Sequence, residues 1–298
     1  MENLSNQACG TKPRTSAQQI VFKYGIYLLF LAMLLILSLT NSKFCTISNF
    51  TNVLLQVSNY AVLGVGMTMV IMTGGIDVSV GATMIVSASV YVVCYTELGM
   101  SEPVSLFMML LVAAGFGAIN GIAVAYLNMP AFLVTLSTQC IGRGLSLVLT
   151  GGVSFRNIGE SFVFIGKSSF LGVPMMIWEM AIVYLLGFLL LEHTVYGRKV
   201  MAIGGNMQAA RVSGINVKLS IMSTYLILGV LCGLAAHMTI ARLGSYYASM
   251  GESMEFMVIA AAVIGGTSLA GGSGTILGTL VGTLIIGVIN NALNLFNV

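Results

Sequence analysis

The chain has 298 residues, of which 57% are hydrophobic and only 7% charged. A water-facing domain carries about 25% charged residues, so a soluble fold is excluded. The 12 Lys and Arg lie scattered and form no patch for nucleic acid. The length reads as a series of membrane helices at about 20 apolar residues each, not as two soluble domains.

In chain order, a polar tail over residues 1–23 carries Lys12, Arg14 and Lys23. The first apolar run, 24–40, is long and has no small-residue cleavage site after it, so it reads as a membrane helix and not a signal peptide. Further runs lie near 51–73, 78–96, 104–127, 130–150, 175–191, 219–241, 255–270 and 274–296. The expected fold is an all-α integral membrane protein, a polytopic helix bundle of about nine spans. The tail 1–23 precedes one membrane domain, 24–298, with its main inner loop at 192–218. That loop holds Arg198, Lys199, Arg211 and Lys218, and six crossings place it on the same side as the positive tail. Both are therefore expected to be cytoplasmic. The opposite side receives Glu97, Glu102, Glu160, Glu252 and Glu255, with Lys43, Arg156, Lys167 and Arg242. Cys45, Cys94, Cys140 and Cys232, in or beside apolar runs and without metal spacing, read as buried packing residues. No GxxxxGK[ST] motif occurs, so the chain has no P-loop of its own.

Glycine interrupts two comparable places, 73–81 around Gly74, Gly75 and Gly81, and 265–274. Each follows an apolar run and opens another, the pattern of a transporter with an internal structural repeat, or of two ordinary hairpin turns. Asp77, the sole Asp, lies in the first break. It reads equally as an anchor or gate and as a helix N-cap. Arg143 is a conceivable partner, although helix length sets the two at different depths. Gln56, Asn59, Asn120 and Asn290, with Ser58, Gln139, Asn291 and Asn294, are polar groups on apolar helices. They suit a pathway for a hydroxyl-rich solute, or serve as packing glue between helices. Gln56 and Asn59, three apart, share a face. His237 reads as a lone packed histidine. In the inner loop, Gly204-Gly205-Asn206 reads as a turn with Asn206 as N-cap, followed by a short helix over 207–213 closed by Gly214.

Four stretches carry a resemblance. They are MTMVIMTGGIDVSVGATM (67–84), YGRKVMAIGGNMQAARVSGINV (196–217), IAAAVIGGTSLAGGSGTILGTLVG (259–282) and IIGVINNALNLFNV (285–298). Together they resemble the ribose-type permease subunits of bacterial ATP-binding-cassette importers. The resemblance implies a multi-pass inner-membrane subunit that passes a simple sugar or sugar-like solute and is no enzyme and holds no cofactor itself. It implies a second permease copy or paralogue, a periplasmic sugar-binding protein outside, and ATPase subunits inside that carry ATP and Mg. It also implies that Gly197, Arg198, Gly204, Gly205, Asn206, Gln208, Ala209, Ala210, Arg211 and Gly214 form an ATPase coupling loop. There Ala209 and Ala210 lie against the partner and Arg211 pairs with a carboxylate. The chain departs from the family pattern at Gln208, where Glu is usual, at Met257, where an acid is common, and in ending without a last apolar helix. Two other readings stand beside this one: an ion-coupled secondary carrier, for which Asp77, His237 and Glu179 are thin support, and a truncated, non-transporting assembly subunit.

Overall fold

The structure is a computed structural model that describes residues 16–156 and 158–296, with side chains from residue 25 onward except Ile165. Lys12 and Arg14 of the tail and Cys9 lie outside the described residues.

The helices follow the apolar runs. Among the described residues, seven are long and apolar enough to cross a membrane: α2 (Ile47–Met72), α3 (Val80–Val92, extended by a π-helical turn Val93–Glu97), α4 (Glu102–Ala125), α5 (Ala131–Thr150), α7 (Met175–His193), α10 (Val217–Leu243) and α12 (Ile276–Leu295). Two apolar helices are shorter: the segment Gly25–Thr40 within α1 (Ser16–Thr40), and α11 (Met254–Ile264). The run expected over 255–270 thus stops at Ile264, because Gly266 takes φ +91° and turns the chain. The segment 151–174 between α5 and α7 is itself folded. It holds α6 (Glu160–Lys167) and a two-strand hairpin, β1 (Ser169–Phe170) antiparallel to β2 (Val173–Pro174), with Ser169 opposite Pro174. The segment 192–218, expected to be an inner loop, is also folded, into α8 (Val195–Gly205) and α9 (Met207–Val212).

Burial sorts the helices into two shells. α2 and α3 are buried along most of their length, and α10 packs on both and on α4. The outer faces of α1, α4, α5 and α7 carry exposed large side chains, among them Leu35, Phe107, Leu133 and Leu186. Without water to drive helices together, lipid-embedded bundles rely on close packing of small residues. The crossing of α4 and α10 shows how. A Cβ on Gly229 would lie 2.6 Å from the Ala113 carbonyl oxygen and 2.9 Å from Gly117 Cα, and one on Gly121 would lie 2.8 Å from the Met222 oxygen. Gly278 and Gly282 pack in the same way against Gly265 and Ala261 of the α11–α12 hairpin. These glycine stripes therefore serve packing within the subunit. Of the cysteines, Cys94 and Cys232 are buried as expected, whereas Cys45 and Cys140 are exposed, since they fall on the outward faces of their segments.

Replacing Gly229 with Val is expected to lower the thermal stability of the detergent-solubilised protein, as overpacking costs about 1–3 kcal/mol. Gly115→Ala is the matched control. A Cβ there meets nothing within 4 Å, so the same melting assay should show no loss.

Candidate translocation pathway and coupling site

Both glycine breaks are ended by the same hydrogen-bond pattern. At the end of α2, Gly74 takes φ +83°, Gly75 N–H bonds the Val70 carbonyl (3.1 Å) and Gly74 N–H bonds the Ile71 carbonyl (2.8 Å). At the end of α11, Thr267 N–H bonds the Ala262 carbonyl (3.0 Å) and Gly266 N–H bonds the Val263 carbonyl (2.9 Å). This pair of bonds around a left-handed glycine is a Schellman motif, which satisfies the last helical carbonyls without water.

The two breaks also touch, and the end of α8 fits between them. Gly272 N–H donates to the Met72 carbonyl (2.9 Å). A Cβ on Gly271 would sit 3.1 Å from both Gly204 Cα and Gly74 N, and one on Gly272 would sit 2.9 Å from Gly205 Cα. A Cβ on Gly204 would strike the Met72 carbonyl. Gly204 and Gly205 are therefore the last helical residues of α8, not the turn the sequence suggested. They stay helical because glycine lets this helix end press onto two other backbones. The turn falls at Asn206, whose side chain caps α9 through Ala209 N–H (2.9 Å). Gly214, at φ +80°, closes α9 with a Schellman pair of its own, Ile215 N–H to the Ala210 carbonyl and Gly214 N–H to the Arg211 carbonyl, each 3.1 Å. Gly197 is buried where α8 folds back on the end of α7, and Arg198 is exposed.

Ala210 corrects one expectation. It is 4% exposed and belongs to the subunit's own core, so it cannot face a partner. The outward face of α9 consists of Met207, Gln208, Ala209, Arg211 and Val212. Val212, 89% exposed, was not singled out from the sequence, where one valine among many gives no signal.

Asp77 is buried at 3% exposure. Its Oδ1 accepts from Ser79 N–H (2.7 Å) and Ser79 Oγ (2.6 Å), and its Oδ2 accepts from Asn120 Nδ2 (3.3 Å). Asn120 also donates to Ser79 Oγ (2.9 Å). Asp77 thus ties the turn before α3 to α4; it is not the helix N-cap, which falls at Ser79. Arg143 does not pair with it. Its guanidinium donates to the Gly251 carbonyl (3.2 Å), one helical turn from Gln139, which donates to Glu255 (2.8 Å). Glu255 was expected in an outer loop but is 4% exposed, in the first turn of α11. Gly81 makes room for this junction, since a Cβ there would run into the Gly251 carbonyl and lie 3.0 Å from Glu255 Oε2.

A cavity of about 430 Å³ opens beside this junction. Gln56, Asn59 and Tyr60 of α2 line one wall, at helical spacings of three and four. Thr239 and Arg242 of α10, Tyr247, Glu252 and Asn290 also line it. Asn59 Nδ2 donates to Thr239 Oγ1 (2.7 Å), and Asn59 Oδ1 is buried with no partner among the described residues. Three of the four expected pathway residues therefore meet here. The fourth, Asn120, does not, because the carboxylate of Asp77 holds it. Asn291 is packing glue, exchanging bonds of 2.8 and 3.1 Å with Asn49. Tyr60 was legible from its spacing to Gln56, whereas Tyr247 and Glu255 gave no sequence signal. His237 is not alone: its Nε2 lies 3.8 Å from Glu179 Oε1, and the Phe162 ring meets it edge-on at 4.5 Å.

Residues 49–298 match the family described as "Branched-chain amino acid transport system / permease component", and the chain belongs to that family. It is a multi-pass inner-membrane permease component, a translocation subunit and not an enzyme, which sets aside the ion-coupled carrier. It is similar to the ribose import permease protein of Escherichia coli (strain K12), 40% identical over 272 residues that cover 90% of this chain and 84% of the relative. The ribose import permease protein of Bacillus subtilis (strain 168) is 39% identical, covering 94% and 87%. The D-allose transport system permease protein of E. coli (strain K12) is 37% identical, covering 93% and 85%. No solved structure matches the chain significantly.

Asp77→Asn puts an amide against Asn120 in place of an acceptor. The expected loss is about 1.5–3 kcal/mol, the range for hydrogen bonds to a charged group. The swapped pair Asp77→Asn with Asn120→Asp restores one donor facing one acceptor, and thermal unfolding should show it recovering part of that loss.

Proposed function

We propose that this chain forms the membrane pathway for a simple sugar in an importer driven by separate ATPase subunits. The observation that carries the reading is the packing of Gly204 and Gly205 on both glycine breaks. It ties the exposed α9 to the ends of α2 and α11 through backbone alone. A push on α9 from a partner would therefore reach both breaks without loss in flexible side chains, as a rigid lever does. The outer cavity suits a sugar: its amides and hydroxyls are neutral donors and acceptors, and Tyr60 and Tyr247 offer flat apolar faces. The sugar relatives favour this cargo over the amino acids in the family's description.

In this reading the tail 1–23 and the inner segment 192–218 are cytoplasmic, following their Lys and Arg. A periplasmic sugar-binding protein delivers solute to the outer cavity. A second permease copy or paralogue completes the pathway against the exposed apolar faces, and lipid covers the rest. ATP and Mg belong to the ATPase. The short helices Gly25–Thr40 and α11 bring the crossings to nine, with α11 and α12 forming a broken pair around 265–274. The matching Schellman ends of the two breaks support an internal repeat.

Val212→Glu tests the coupling face. It places a charge on the most exposed apolar position of α9 without touching the core. Co-purification of ATPase and permease should fall at least tenfold while membrane abundance stays normal. Ala210→Trp should instead reduce abundance itself, since its site is internal. If Val212→Glu assembles and transports like wild type, α9 is not the docking face.

The pathway has its own test. Gln56→Ala with Asn290→Ala should lower uptake of radiolabelled sugar about tenfold or more, at roughly 1 kcal/mol for each lost hydrogen bond, with unchanged membrane insertion.

A further inference from the structure

A second cavity, of about 310 Å³, lies on the α9 side of the molecule, between the first glycine break, the α4–α5 connection and the start of α10. Arg211 and Lys218 both line it, and no Asp or Glu does. Neither cation is paired with a carboxylate among the described residues. Lys218 is the second residue of α10, so the positive end of that helix lies at the same wall. Its ammonium sits 5.5 Å from the centre of the Tyr126 ring. Tyr225 forms the deep wall, where its hydroxyl abuts Gly75. Tyr225 is fully buried, and its hydroxyl has no hydrogen-bond partner among the described residues. A buried polar group left unbonded is destabilising and calls for an explanation. Asp77 has its own two oxygens held by Ser79 and Asn120.

We propose that this cavity binds a phosphate ester. Two cations with no acid in the lining favour a compact anion. Guanidinium is suited to bidentate contact with phosphate oxygens. Tyr225 donates its idle hydroxyl to the same group. The volume is at the lower end of ligand pockets, which fits a headgroup or a small metabolite. A ligand held there would bridge α9 and Gly74-Gly75, and so sit on the link between the partner face and the first break. On the cytoplasmic side, the phosphate comes either from a phosphorylated metabolite or from an anionic lipid of the inner leaflet. The binding claim itself does not depend on the chain's cargo or on its orientation.

The experiment uses the full chain, purified without partners, in nanodiscs of phosphatidylcholine or of phosphatidylcholine with phosphatidylglycerol. Inorganic phosphate and ribose 5-phosphate are titrated into the first, and thermal unfolding is followed in both. Saturable stabilisation by a soluble phosphate, weakened at high salt, identifies a metabolite site. Stabilisation by phosphatidylglycerol alone identifies a lipid site. In either case Lys218→Gln and Tyr225→Phe should each weaken the effect about tenfold. Tyr225→Phe should melt no lower than wild type in the absence of phosphate, because its hydroxyl makes no bond to lose. The proposal is overturned if no probe stabilises the protein, if both variants respond like wild type, or if Tyr225→Phe is itself destabilised.

Discussion

The fold turns on the approach of three backbones to van der Waals contact, at the ends of α2 and α8 and in the turn between α11 and α12. Any side chain at Gly204, Gly271 or Gly272 would separate them. The hydrogen bond from Gly272 N–H to the Met72 carbonyl exists only because that space is empty. A backbone carbonyl with no partner in the interior of a membrane protein is costly, and here Gly272 N–H supplies the partner of the Met72 carbonyl. The position of α9 follows from this contact, since Asn206 turns the chain directly out of the packed end of α8. So does the second cavity, one wall of which is the same Gly74-Gly75 turn.

A second theme is that several interior polar groups are bound in small sets. Asp77, Ser79 and Asn120 form one, Gln139 and Glu255 another, and Ser89, Ser146 and Tyr246 a third. Each joins helices from separate parts of the sequence. In a core without water, a satisfied set fixes register more sharply than apolar contact does, because an alternative packing strands donors. Among the groups left open, Asn59 lies at the larger of these two cavities and Tyr225 at the smaller.

Much of this was legible from residues alone. Apolar runs located the helices because lipid demands length and hydropathy, and the glycine pairs located the breaks because only glycine adopts the left-handed turn without strain. Asn206 and Gly214 were readable as caps for the same local reason. What escaped was set by distant contacts. Nothing in the order of residues indicates that Ala210 turns inward, that Glu255 is drawn into the interior beside Gln139, or that Asn120 serves Asp77 and not the cavity. Gly204-Gly205 looked like a turn because the two backbones that hold it helical lie far away in sequence. Gln56 and Asn59 share one wall because helical spacing fixes which side chains share a face, whereas Asn290 arrives beside them through the packing of α12 on α2.

The sheathing of α2 and α3 sets a timetable for assembly. Asp77 and Asn120 are 43 residues apart, so at about 5–20 residues per second the ribosome supplies the partner of the carboxylate within roughly 2–9 s. Ser89 and Tyr246 are 157 residues apart, and the same rate puts their meeting about 8–30 s after Ser89 is made. The central helices therefore wait in lipid, apolar enough to be tolerated there, with the acidic side chain already covered. The nascent bundle handles this acidic group early and admits α10, which fills the centre, only after α4 and α5 have packed on α3.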